Sequence, residues 1–133
     1  MITFDDPHQA AGTILTGQYP SGVIDWDPDQ WSIHTPEGGF GTFNVALRDI
    51  KTGEGKFRFH SPRIFVGIDV FNGGSVNAIL TIRCPELREV TYTIKPGETR
   101  RIRTGWEDHS SSISFKLENG EKVLFDNLAY RIE

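Results

Sequence analysis

The stretch "GKFRFHSPRIFVGIDVFNGG", residues 55 to 74, sets the tightest limit on what this chain folds into. Apolar and polar side chains alternate along it, and successive side chains of an extended strand point to opposite faces. Phe57 and Phe59 therefore share an inward face, with Arg58 and His60 outside. In "RIFVGIDVF" the same parity turns Ile64, Val66, Ile68 and Val70 inward and leaves Phe65, Gly67, Asp69 and Phe71 on the reverse face. Ile102 between Arg101 and Arg103 follows the rule, as do Ile113, Phe115 and Leu117 against Ser112, Ser114 and Lys116. Helical periodicity is hard to find anywhere.

Short segments of this kind recur between turn signals such as "NGGS", "KPGE" and "LENGEK". The strand candidates are 2–5, 23–26, 31–34, 41–47, 55–60, 64–71, 77–84, 89–94, 98–104, 111–117 and 122–132. That many short strands in 133 residues, a length suited to one domain spanning residues 1–133, predict an all-β fold. The expected form is a two-sheet antiparallel β-sandwich of jelly-roll type.

Composition narrows the function classes. With 37% hydrophobic and 24% charged residues the chain reads as globular, and no long apolar run suggests a membrane span. A net charge of −4 argues against a nucleic-acid partner, because duplex binding calls for a basic excess. Cys84 is the single cysteine, so no internal disulfide forms, and it reads as a core thiol or a neighbour of the Pro85 turn. The start, "MITFDDPHQAAG", has no secretion-signal pattern and opens straight into a strand, which reads as a domain cut from something longer.

Catalytic motifs are wanting. His8, His34, His60 and His109 form no HExxH or close pair, no GxSxG elbow occurs, and "GGFGTF" lacks the lysine and helix of a phosphate loop. No catalytic residue is assigned, although eighteen acidic side chains leave carboxylate-pair chemistry open.

Two other constellations carry chemistry. "TFDDP" near the start and "LFDNLAY" near the end each place an Asp after a Phe, at Asp5 and Asp126. Around Asp126 the parity shifts between Val123 and Phe125 on one side and Leu128, Tyr130 and Ile132 on the other, the signature of a β-bulge. Two carboxylates with freed carbonyls suit a structural Ca²⁺, which takes six to eight oxygens; strand-end capping is the equal alternative. The aromatics form the second set. Trp26 and Trp31 flank the turn "DPDQ", Tyr19 lies in "GQYPSG", and Trp106 follows Gly105 in a loop. An indole covers the C–H face of a sugar ring and its N–H serves a hydroxyl, whereas any one of these rings also suits a plug for the sandwich end. The Arg-rich outer face is either a solvated sheet surface or a groove that grips carboxylates and hydroxyls.

"ITFDD", "LTGQYPSGVIDW", "FRFHSPRIFVGIDVFNGG", "RRIRTGW" and "FDNLAY" together resemble a small bacterial β-sandwich domain similar to jelly-roll carbohydrate-binding modules. The resemblance implies a secreted, extracellular accessory domain appended to a larger protein, with a polysaccharide or oligosaccharide as partner. It also implies structural calcium near the first and last strands, at Asp5 and Asp126. On this reading the chain is a non-catalytic carbohydrate-binding module using Tyr19, Trp26, Trp31, Asp69, Asn72 and Trp106. Gly67 would clear space for a sugar ring, Phe65 or Phe71 would wall it, and Asp69 with Asn72 would bond hydroxyls. A competing account pairs Asp69 with Arg58, Arg101 or Arg103 as a surface ion pair. A docking domain and a small polysaccharide-active enzyme are the other function classes.

Overall fold

The structure is a computed structural model that describes residues 14–18, 22–34, 44–47, 53–84, 88–119 and 122–132. Nine strands and no helix lie within these residues: β1 (Ile14–Gln18), β2 (Ile24–His34), β3 (Asn44–Leu47), β4 (Glu54–Asn72), β5 (Ala78–Arg83), β6 (Glu89–Ile94), β7 (Thr99–Arg103), β8 (Ser110–Glu118) and β9 (Val123–Arg131). Every pairing is antiparallel. The expected strand over residues 2–5 lies outside the described residues, as does part of that over 41–47.

Two long strands turn corners and so make two layers from one ladder. The first half of β4 pairs with β2 and β8, where Phe57 stands opposite both Trp26 and Ile113. Its second half pairs with β7 and β9, where Val70 stands opposite Arg100 and Phe125. The change falls at the exposed Ser61 and Pro62, and the register with β8 slips between Arg58 and Arg63. Proline has no N–H to give a ladder, so it belongs where a strand leaves one sheet for another. β2 does the same: Ile24 to Trp26 pair with β4, and Trp31 to His34 pair with β3. Because Val45 of β3 pairs with Phe125 of β9, the ladder β2, β3, β9, β4 closes on itself.

Rings from both layers meet in the middle. Phe115 of β8 lies 5.3 Å from Phe125 of β9 and 5.4 Å from Trp31, centroid to centroid, without sharing a strand pairing with either. This is the all-β, two-sheet antiparallel sandwich that alternation predicts, with Phe57, Phe65, Ile68, Leu80 and Ile113 filling its interior. Each such buried side chain contributes about 1.5–3 kcal/mol relative to exposure. The "KPGE" turn also forms as expected. Gly97 takes φ 79° after Pro96, and Glu98 N–H donates to the Lys95 carbonyl at 3.0 Å.

Alternation fails at two places, for one reason. "DPDQ" is not a turn between strands but an excursion inside β2, since β1 advances from Leu15 to Gly17 while β2 runs from Trp31 to Trp26. In the second half of β4, the register with β9 slips between Phe65 and Gly67. The extra residue turns Phe65 into the core and leaves Val66 half-buried, against the expected parity.

Candidate functional site

Trp26 and Trp31 are core residues, which corrects the expectation of sugar-facing loop rings. They are five positions apart, an odd spacing that would send them to opposite faces of a regular strand. The excursion between them restores the phase, leaving both inward at 2% and 1% exposure with ring centroids 5.3 Å apart. Trp31 Nε1–H donates to the Lys56 carbonyl at 3.1 Å, so its polar atom is committed inside the protein. Tyr19 lies outside the described residues.

Asn72 is likewise closed to a ligand, at 0% exposure. Its amide donates to the Val76 carbonyl at 2.8 Å and the Ile94 carbonyl at 2.9 Å, and its oxygen accepts the Gly74 N–H at 2.9 Å. That set ties the β4–β5 turn to the end of β6. Gly67 clears room for backbone and not for a sugar: a Cβ there would meet the Ile102 carbonyl oxygen of β7 at 2.0 Å. Phe65 is buried between Phe57 and Trp106 and walls no surface site.

Asp69 remains half-buried at the surface of β4, and its partners come from the bulge that the parity shift near Asp126 predicts. The register slips again between Gly67 and Asp69, and Asn127 adopts φ 54°. Asparagine tolerates that left-handed conformation, and here it swings its side chain onto Asp69. Asn127 Nδ2 donates to Asp69 Oδ2 at 2.8 Å, while Arg101 Nη1 donates to Asp69 Oδ1 at 3.1 Å and to the Asn127 carbonyl at 2.7 Å. The ion-pair account of Asp69 thus describes its contacts, with Arg101 as the partner. All these bonds use Nη1; Arg101 Nε and Nη2 make no hydrogen bond among the described residues.

Trp106 is placed by a fold-back after β7. Thr104 Oγ1 donates to the Phe65 carbonyl at 2.6 Å and accepts the Trp106 N–H at 3.2 Å, with Gly105 at φ 69° making the reversal. The indole is 9% exposed, with the Phe65 ring 6.3 Å away and the Arg88 guanidinium 5.4 Å from its centroid. Arg88 is itself anchored by Asp108 at 3.3 Å and the Ser110 hydroxyl at 3.4 Å. The side chain is thus largely packed, and its indole N–H makes no hydrogen bond among the described residues.

Trp106 belongs to the wall of a surface cavity of about 470 Å³, lined also by Val66, Arg101, Arg103, Thr104, Gly105, Glu107 and Arg131. Of the residues expected to bind sugar, Asp69 and Trp106 are joined here, Trp106 on the wall and Asp69 through its bond to Arg101. Sequence reasoning missed Val66, Thr104 and Arg131. Val66 was hidden by the bulge, and Arg131 reaches the cavity only because β9 pairs with β4, placing it opposite Ile64. A second hollow of about 360 Å³ lies on the other layer, over Lys56, Thr81, Arg83, Ser114 and Lys116.

For the metal, Asp126 is 0% exposed and its Oδ1 accepts the Asn127 N–H at 2.8 Å. Its oxygen chemistry suits Ca²⁺. Asp5 lies outside the described residues, and among the described residues no three His, Cys, Asp or Glu side chains gather as a metal site. Among the described residues no helix is long and apolar enough to cross a membrane.

No family model matches the chain, and no curated protein matches it. It is similar to the solved structure of a family 29 carbohydrate-binding module, an arginine-to-alanine mutant used to probe ligand recognition by that family. The TM-score is 0.49 and the identity 14%, over 92% of this chain and 89% of that one. The functional reading accordingly rests on the geometry above.

Proposed function

We propose that this chain is a non-catalytic carbohydrate-binding module whose sugar site is the cavity beside Trp106. The observation that carries the reading is that Trp106 and the anchored guanidinium of Arg101 line one cavity. Sugar sites need a patch of apolar surface and a few aimed polar groups. Here Trp106 and Val66 supply the first, and the guanidinium of Arg101, oriented by Asp69 and Asn127, supplies the second. A donor already fixed by the protein loses little freedom on binding, which favours affinity. The module acts outside the cell as an accessory to a larger protein, and a structural Ca²⁺ at Asp5 and Asp126 ties the chain ends, supported by the full burial of the Asp126 carboxylate.

The test is a screen of immobilised polysaccharides followed by calorimetry on soluble hits, with Trp106→Phe and Arg101→Ala beside an Arg83→Ala control on the opposite layer. Binding lost in the first two and kept in the third supports the site; no binding to any glycan removes the proposal. For calcium, the thermal midpoint is compared in excess Ca²⁺ and in chelator. Metal at 100 times its Kd adds about 2.7 kcal/mol, so coincident melting curves remove the tight metal site.

A further inference from the structure

We infer that the sugar taken by the Trp106 cavity is an acidic one, a carboxylate-bearing uronate oligosaccharide. The inference rests on the reading of this cavity as the sugar site and adds the class of ligand.

Charge is the first ground. The chain carries a net charge of −4, yet the charged side chains lining this cavity among the described residues are Arg101, Arg103 and Arg131 against Glu107 alone. Setting Asp69 against Arg101 leaves Arg103, which makes no ion pair among the described residues, as the cation open to an anion. A cavity of opposite sign to its molecule draws anions toward it specifically.

Donor geometry is the second. Arg101 is not a floating surface charge, because Nη1 is held by the Asp69 carboxylate and the Asn127 carbonyl. The planar guanidinium then presents Nε and Nη2, neither bonded among the described residues, as a ready fork. Two parallel N–H donors match the two oxygens of a carboxylate, a fit that a neutral hydroxyl does not exploit. Arg103, exposed and without an ion pair among the described residues, lies two positions along β7 on the same face and provides a second cation. Trp106 and Val66 then receive the apolar side of the same ring.

The experiment uses short galacturonate, glucuronate and mannuronate oligomers, each beside its carboxyl-reduced neutral counterpart, titrated by calorimetry. At least one acidic oligomer is expected to bind about tenfold or more tighter than its neutral partner, the size of one charge-assisted hydrogen bond. That preference is expected to shrink about tenfold in Arg101→Lys, which keeps the charge and loses the fork, and in Arg103→Gln. It is also expected to fall as salt rises from about 0.05 to 0.5 M. Unchanged urea midpoints confirm that both variants stay folded. Binding in which no acidic oligomer exceeds its neutral partner overturns the inference and leaves the sugar reading intact. Failure of every acidic and neutral glycan overturns both. Acidic binding whose preference survives both substitutions overturns the assignment to this cavity.

Discussion

The pair Trp26 and Trp31 and the single Trp106 are the same residue type with opposite fates. The first two lie on β2, where a four-residue excursion turns both rings into the core. Trp106 lies beyond the end of β7, where Thr104 and Gly105 fold the chain back so that the residue joins the core cluster and also lines a surface cavity. Aromatic content near turn residues therefore does not mark a binding ring. What separates the two regions is whether the backbone after the ring continues in the ladder or leaves it.

The comparison breaks most visibly at Trp31. Trp31→Ala removes a fully buried ring touching Trp26, Phe115 and Phe125, and urea denaturation is expected to show a loss of about 3–5 kcal/mol. Survival of the fold with a loss under about 1 kcal/mol would mean that this ring is not core. Gly67→Ala comes next at about 1–3 kcal/mol, because its Cβ would collide with the Ile102 carbonyl and force β7 from β4. Calorimetry is expected to show weaker sugar binding in this variant, since Arg101 and Arg103 ride on β7. Trp106→Phe keeps an aromatic plug and loses the indole N–H, so stability falls by about 1 kcal/mol while glycan affinity drops about tenfold. An equal drop in stability for Trp31→Phe and Trp106→Phe would erase the distinction between the two regions. Smallest is Asp69→Asn, which weakens a partly exposed ion pair with Arg101 by less than about 1 kcal/mol. Its signature is a difference from the parent protein that shrinks in high salt.

Much of the architecture was legible beforehand. The expected segments 89–94, 98–104, 111–117 and 122–132 correspond to β6, β7, β8 and β9 within a residue or so at most ends. The parity shift around Asp126 announced the bulge that Asn127 completes. Alternation read the first half of β4 correctly and most of the second, where Ile64, Ile68 and Val70 are buried and Asp69 and Phe71 half-buried; it failed from Phe65 to Gly67, where the register with β9 slips twice. β1 was not anticipated, and the segments 23–26 and 31–34 proved to be one strand. An irregularity that leaves hydrogen bonding intact on both sides looks, in a string of residues, like a loop.

The candidate site was legible only in fragments. Asp69 and Trp106 were singled out together with Trp26, Trp31 and Asn72, and nothing local distinguishes the two groups. Asn72 in "FNGG" has the look of a ligand residue; its amide instead satisfies one carbonyl of the β4–β5 turn and one at the end of β6, which meet only in the folded chain.

Residue order alone decided that this protein is built of antiparallel strands and which side chains are oily enough to fill its middle, since both follow from a two-residue repeat and local turn chemistry. Only the tertiary structure decided that Arg101, Arg103 and Arg131 line one cavity with Trp106. Those side chains come from β7 and β9, two strands that do not pair with each other but each pair with β4, and no local rule relates positions that only a shared neighbour brings together.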